Sequence, residues 1–444
     1  MNTPNILICT WHDTGRHFGC YGQDTVHSPN VDRLAAEGVR FDRAYCSSAK
    51  CSPSRGSCMT GLYPQRNGLH YLCHGNFGYR LNDGSKHLAQ LLRERGYYSI
   101  LHGFQHEVEA EQIAGLGHHQ AVNHLPAPPM HPVPPCEVIA ADAARWLESE
   151  AAGKAPFFMQ LGFFETHRRY SFGNCKPDDS KGVAVPYWAQ DDAITRDDMA
   201  ALQGSIRKAD AQFGVVLDAL ERNGLADNTI VIFTVDHGLD MLGAKGTCFE
   251  PGIEIACVMR WPAGGIQGGL VSDRLISNVD VVPTLFALAG LEAPTPCDGV
   301  GFADVFNRNY RGDVREYVFT MIQEGERRSV RNERYKLIRN FDALKDYARP
   351  VRSDPYRGPS TGWEGIGGKQ NTPDVLLFDL QEDPVETANL AEDPAYQAVR
   401  QELETALWQH LELVGDPLLN LPHEPRRREH LRQYLNWRAE HGHA

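Results

Sequence analysis

The run Thr229-Ile-Val-Ile-Phe233 leads into Asp236-His237, so an apolar, β-branched segment ends in a carboxylate and an imidazole. Three other runs share this construction. Asn5-Ile-Leu-Ile-Cys9 leads to His12-Asp13, Tyr98-Ser-Ile-Leu101 to His102 and His106, and Phe157-Phe-Met-Gln-Leu161 to Glu165 and His167. Helical patterns separate them over residues 31–37, 88–94, 138–150 and 197–222, the last stopped by Asn223-Gly224. Strands alternating with helices imply an α/β fold with a large, mostly parallel sheet covered on both faces. Ligands bind such sheets outside the carboxyl ends of the strands, so the four polar clusters are expected to converge on one cleft.

After about Asn307 the pattern changes to short, closely spaced strand-like runs over residues 317–320, 328–331, 335–339 and 375–378, followed by a helix over 394–413. The expected organisation is a catalytic domain over residues 1–312 and a smaller antiparallel α+β domain over 313–444. The tail over 425–444 carries three consecutive arginines and reads as a solvated helix, or as a face that packs on a second subunit of a homo-oligomer.

The 444 residues are enough to bury a core without staples. The 11 cysteines are odd in number and lack a C-x-x-C pair, so most read as small core fillers. A net charge of −13 argues against nucleic-acid binding, which needs a basic face, but leaves room for an anionic small substrate in a local positive pocket. No run is long and apolar enough to span a bilayer, and Met1 to Asp13 shows no signal-peptide pattern. A cytoplasmic protein without a membrane anchor is the expectation.

His12-Asp13 and Asp236-His237 together offer two carboxylates and two imidazoles, enough to hold one divalent cation. Each pair alone is equally readable as turn or capping residues; two pairs at equivalent strand ends favour metal. The segment Cys51-Ser-Pro-Ser-Arg55 raises a different problem, because a thiolate is a soft ligand that suits a hard-ion site poorly. Its Pro53-Ser54-Arg55 resembles a helix N-terminus, where free N–H groups and the Arg55 fork favour an anion.

Cys51-Ser-Pro-Ser-Arg55, followed by Thr60-Gly61, resembles the signature of the sulfatase family. The resemblance implies the alkaline-phosphatase-like fold and conversion of Cys51 to formylglycine by a formylglycine-generating enzyme. The hydrated aldehyde would supply an oxygen nucleophile in place of the sulfur. His12, Asp13, Asp236 and His237, with the modified Cys51, would hold the metal, Ca²⁺ by resemblance and Mn²⁺ as the alternative that two imidazoles favour. Arg55 and Lys245 would neutralise charge on the sulfuryl group, and His106 and His167 would position it and protonate the leaving atom. Gly19-Cys-Tyr-Gly22, Ser28-Pro-Asn-Val-Asp-Arg-Leu-Ala35 and Leu376-Leu-Phe-Asp-Leu-Gln-Glu-Asp-Pro384 also look like family sequence.

There are departures. His12 stands where the family has Asp, and Asp236-His237 where sulfatases have Asp-Asn, a pairing like that of phosphonate monoester hydrolases. Gly103-Phe-Gln-His106 matches the family's Gly-Lys-x-His, so Phe104 replaces a sulfate-binding lysine; His12, Arg55, Gln105 or another arginine are candidates to compensate. The segments Thr361-Gly-Trp363, Arg328-Ser-Val330, Tyr335-Lys-Leu-Ile-Arg-Asn340 and Pro156-Phe-Phe158 are similar to the heparan N-sulfatase subgroup. The expectation is therefore hydrolysis of a sulfate ester or sulfamate on a sugar. Its rivals are a phosphonate monoester or phosphodiester hydrolase with the same nucleophile and a catalytically silent binder of sulfated glycans. Cys58 and Cys248 read as packing residues, Glu165 as an acid or as a partner of Arg168 or Arg169, His102 as a residue orienting its loop, and His118-His119 as an exposed loop.

Overall fold

The computed structural model describes residues 3–74, 77–122, 134–154, 156–307, 309–323, 326–341 and 373–420. The expected tail helix and Thr361-Gly-Trp363 lie outside the described residues.

The first ten strands are β1 (Asn5–Trp11), β2 (Val39–Phe41), β3 (Ala44–Tyr45), β4 (Tyr98–Gly103), β5 (Gln120–Val122), β6 (Phe157–Gly162), β7 (Thr229–Val235), β8 (Cys257–Arg260), β9 (Leu270–Ser272) and β10 (Ile276–Ser277). Eight of them form one sheet in the order β5-β4-β6-β1-β7-β8-β2-β9. Its pairings are parallel except those of β8, which runs against both β7 and β2. The mostly parallel sheet expected from the alternation is what forms. The four runs that announced it are all central, and β1 and β7 are buried along their whole length. A strand covered on both faces has no solvent side to mark with polar residues, so it reads as a continuous apolar run.

The helices are α1 (Pro29–Glu37), α2 (Cys51–Thr60), α3 (Pro64–Asn67), α4 (Leu88–Arg93), α5 (Cys136–Ser149), α6 (Ala193–Arg222), α7 (Glu250–Ile253), α8 (Val281–Leu288) and α9 (Gln397–Val414). Helix α6 packs against α1 and α5, while α2 packs against α4 and α8. Helix α6 starts ahead of the expected 197 because Asp192 caps it, its carboxylate accepting the Thr195 N–H at 2.8 Å. No described helix is long and apolar enough to cross a membrane.

A separate antiparallel sheet is built from β11 (Val318–Ile322), β12 (Arg327–Arg331), β13 (Tyr335–Asn340) and β14 (Val375–Asp379), in that order. Alternation along it serves two cores. Val318, Ile322, Ile338 and Leu376 face the main core. Val330, Leu337 and Leu377 face α9 through Leu403, Leu407, Trp408 and Leu411. The period of two thus places the small sheet between the large one and the last helix.

Candidate active site

The carboxyl ends of β1 and β7 lie side by side, with Trp11 paired to Val235, so the residues after them meet. Asp13 adopts φ of +50°, and its N–H donates to Asp236 Oδ1 at 3.0 Å. The cost of that left-handed residue is met by the hydrogen bond that holds the two aspartates together. Gly15 donates to the His237 carbonyl at 3.0 Å, closing the same loop.

Cys51 is the first residue of α2, buried at the helix end where unpaired N–H groups face out. Ligand-type atoms of His12, Asp13, Cys51 and Asp236 all lie within 4.8 Å of one another. His237 Nε2 adds to the group at 3.2 Å from Asp13 Oδ1 and 3.4 Å from Cys51 Sγ. The expected metal cluster is therefore gathered in one place.

Its protonation pattern fits a cation. His237 Nδ1 can only donate to the Gly238 carbonyl at 2.9 Å, so the lone pair of the neutral ring is on Nε2, facing the Asp13 carboxylate and the Cys51 sulfur. Burial keeps that ring neutral by lowering its pKa. His12 is fully buried, its pKa is lowered to about 3 by burial and by Arg55, and its Nε2 has no hydrogen-bond partner. Burial alone would raise Asp236, yet His237, Arg55 and His12 hold it well below the ordinary carboxylate range. A ring nitrogen lone pair facing a carboxylate, as at His237 Nε2 and Asp13, is the arrangement a divalent ion stabilises.

Two cations border the cluster. Arg55 donates from Nε to Asp236 Oδ2 at 3.1 Å and from Nη2 to the Trp11 carbonyl at 3.0 Å. Lys245 Nζ donates to both Asp13 oxygens at 3.0 Å and to Asp240 at 3.3 Å. Burial would lower the Lys245 pKa, but Asp13 and Asp240 raise it well above the usual lysine value. Burial pushes the Cys51 thiol well above its ordinary pKa against the pull of Lys245, which favours the protonated form.

His167 and His106 are placed differently. His167 Nε2 lies 3.9 Å from Asp13 Oδ2 and its side chain is 29% exposed, on the solvent side of the cluster. Thr166 fixes it there, because its hydroxyl donates to the His12 carbonyl at 2.7 Å. His106 stands one layer back, its Nε2 2.6 Å from Nδ1 of a stacked His74.

Phe104 touches both His12 and His106, with ring centroids 4.6 and 5.5 Å away, and the Arg55 guanidinium lies over its face at 5.4 Å. Of the groups proposed to compensate for the missing lysine, Gln105 is excluded: its amide is spent on Val108 and Glu107 within its own loop. Arg55 is the cation next to the substituted position.

Other expectations are corrected. Glu165 accepts the Cys136 N–H at the start of α5 at 2.8 Å, and Arg168 pairs with Asp198 instead. His102 lies inside β4, buried near Trp146, and orients no loop. His119 stacks on Tyr98 while accepting the Ser99 N–H, and His118 bonds to Gln160, so this pair is tied to the sheet edge. Cys58 and Cys248 are buried packing residues as expected. His74, Thr166, Asp240 and Asn278, which anchors Ser54 at 2.9 Å, carry no sequence signal that singled them out.

A family model described as sulfatase matches residues 4–291, and one described as the C-terminal region of N-sulphoglucosamine sulphohydrolase matches residues 242–355. A Formosa agariphila protein named ulvan-active sulfatase is 30% identical over 424 residues, covering 94% of this chain and 81% of its own length. Human N-sulphoglucosamine sulphohydrolase is 25% identical over 460 residues, covering 91% and 89%. A structure solved in complex with its substrate, D-glucosamine-2-N,6-O-disulfate, shares the fold with a TM-score of 0.70 at 19% identity, covering 96% of this chain and 99% of that one. With a family model spanning both metal-type pairs and the Cys51 motif, the chain belongs to the sulfatase family, hydrolases of sulfuric esters and sulfamates, and carries their alkaline-phosphatase-like architecture.

Proposed function

We propose that this sulfatase removes a sulfuryl group from oxygen or nitrogen of a sugar, with Cys51 converted to formylglycine before it can act. The observation that carries this reading is the placement of Cys51 at the start of α2 within the His12, Asp13 and Asp236 cluster. His12, Asp13, Asp236, His237 and the modified position 51 would hold one divalent ion. Bound there, the ion and the aldehyde hydrate supply Lewis-acid polarisation of a sulfuryl oxygen and an oxygen nucleophile.

The chain's own side chains do the rest. Arg55 and Lys245 carry fixed positive charge at the cluster, preorganised for the charge that builds on sulfuryl oxygens. His167 Nδ1 contacts the Arg168 carbonyl and must donate to it, so Nε2 is the atom free to gain or release a proton. Its solvent-side position suits protonation of the leaving oxygen or nitrogen, and nitrogen especially needs that proton. His106 acts from behind through its contact with His74, orienting the site. Calcium is the ion the family resemblance implies; two imidazoles in the cluster make manganese the better match to the donor set.

The sugar reading draws on the relatives' names. Protein co-produced with a formylglycine-generating enzyme would be assayed on glucosamine N-sulfate, sulfated ulvan oligosaccharides, an aryl sulfate and an aryl phosphonate. Turnover of a sulfated sugar above the others supports the reading. Preference for the phosphonate would move the assignment to the rival that His237 suggests, and binding of sulfated glycan without turnover, with aldehyde and metal present, would favour a silent binder.

A further inference from the structure

A cavity of about 830 Å³ has Thr14 and Gly15 in its wall, the two residues that follow Asp13. That volume falls in the range of small-ligand pockets, roughly 300–1,000 Å³. Cys51, Arg55, His106, His167 and Lys245 are not part of its lining. The loop after β1 thus presents Asp13 to the catalytic cluster and its next residues to a different space. Gly15, with φ of +51°, is required at this wall: a Cβ there would come within 3.3 Å of Gly238 and 3.4 Å of the Glu254 carbonyl.

The chemistry of this cavity differs from that of the catalytic centre. Two arginine–carboxylate pairs line it, Arg16 with Glu254 and Arg40 Nε with Asp42 Oδ1 at 2.8 Å, and all four side chains remain partly exposed. Each arginine is in contact with a carboxyl group, so the cavity presents no isolated cation with which to draw in sulfate. It offers instead the guanidinium N–H groups left over from the contacts of Arg16 with Glu254 and the Asp42 carbonyl, and of Arg40 with Asp42 and the Cys20 carbonyl, beside carboxyl acceptors. Tyr187, 57% exposed, stands at right angles to Trp188 with ring centroids 4.9 Å apart, giving the wall an open aromatic face. A ligand matching this set has an apolar face for the ring and a rim of groups that both donate and accept.

We infer that this cavity binds an uncharged pyranose ring, as a second saccharide site beside the catalytic cleft. Its C–H face stacks on Tyr187, and its hydroxyls bridge the arginine forks and their carboxylates. The inference rests on the reading that the substrate is a saccharide, and gives that substrate more than one residue. Recognition of the chain is then divided: the sulfated residue enters the cluster by charge, and an unsulfated neighbour is held by shape and hydroxyl pattern.

The test separates this site from the chemistry. Neutral oligosaccharides of increasing length, chitooligosaccharides and carboxyl-reduced, desulfated ulvan oligosaccharides, would be titrated calorimetrically into the full chain and into Tyr187→Ala and Trp188→Phe. An aryl sulfate assay would run on the same preparations. The expected result is binding of at least one series, weakened about tenfold or more by Tyr187→Ala, the size of an aromatic anchor's contribution, with aryl sulfate turnover unchanged. No binding of either series, or equal binding by wild type and both variants, overturns the inference. Tyr187-dependent binding with no turnover of any sulfated sugar would keep this site and remove the proposed function. Turnover of sulfated sugars without such binding would do the reverse.

Discussion

Two buried arginine–aspartate pairs show how alike groups serve different ends. Arg328 meets Asp416 with both prongs of its guanidinium, at 2.6 and 3.1 Å, and gives its remaining Nη1 to the carbonyls of Ile322 and Arg327. Asp416 takes a further bond from Gln65 at 2.9 Å. Each partner is saturated by the other and by near neighbours. Arg55 meets Asp236 with Nε alone at 3.1 Å and spends Nη2 on a strand-end carbonyl. Asp236 is shared among Arg55, the Asp13 N–H, and the rings of His12 and His237 at 3.1 and 3.6 Å. A buried ion pair is therefore no marker of function; what marks the second site is the surplus of lone pairs around it, including His12 Nε2.

The comparison makes its strongest demand at Cys51. Cys51→Ala should remove turnover by on the order of 10⁴-fold or more, the scale of losing a covalent nucleophile. Thermal unfolding should shift by no more than about 2 °C, because a small buried side chain is replaced by another. Substantial remaining activity would put the nucleophile elsewhere. At the other pair the split reverses: Arg328→Met strands a buried Asp416 carboxylate and should cost about 3–5 kcal/mol of stability in denaturant unfolding. Its kcat per folded molecule should stay unchanged.

A subtler break concerns the two departures from family sequence that touch each other. By the sulfatase resemblance His12 stands where a carboxylate is usual and Phe104 where a lysine is usual, which would remove one negative and one positive charge together from side chains in contact. Phe104→Lys alone places a cation beside Arg55 with nothing to offset it and should lower stability. His12→Asp alone adds an uncompensated carboxylate. The double variant should recover, with a coupling of about 1–3 kcal/mol in the mutant cycle; strict additivity would mean that the two losses are unrelated.

The smallest effect lies where the small sheet meets the large one. Glu386 faces Lys336 and accepts the Glu250 N–H at 2.7 Å, and burial raises its pKa to about 7 against the pull of Lys336. A carboxyl raised in the folded state favours folding when protonated. Its contribution is present at and below the ordinary glutamate pKa, about 4.3, and is lost as pH rises towards 7. Glu386→Gln should flatten the fall in stability over that window, measured by denaturant unfolding at successive pH values. An unchanged slope would assign the titration to another group.

The cleft was legible because its main residues follow strands that are apolar on both faces. His12, Asp13, Asp236 and His237 each sit just past such a run, where the end of the periodicity and the start of the site coincide. The reversed direction of β8 was not legible, since a four-residue strand, Cys257-Val-Met-Arg260, carries no mark of its direction. Nor was the role of His74 or Asp240, each brought to the site by a loop whose path depends on tertiary packing. Glu165 misled for a related reason: sequence proximity favoured Arg168, while the open N–H at the start of α5 was the nearer partner in space. Phe104 shows the limit from the other side. The missing lysine was plain in the motif, but only the structure places Arg55 over the ring that replaced it.

The central claim is that Cys51 is the precursor of the catalytic group, and peptide mass spectrometry across residue 51 tests it most directly. In protein made alongside a formylglycine-generating enzyme, the peptide should show the mass loss of a thiol converted to an aldehyde, with an aldehyde-specific reagent trapping that residue. Only unmodified cysteine in such a preparation, together with full turnover of an aryl sulfate, would contradict the account.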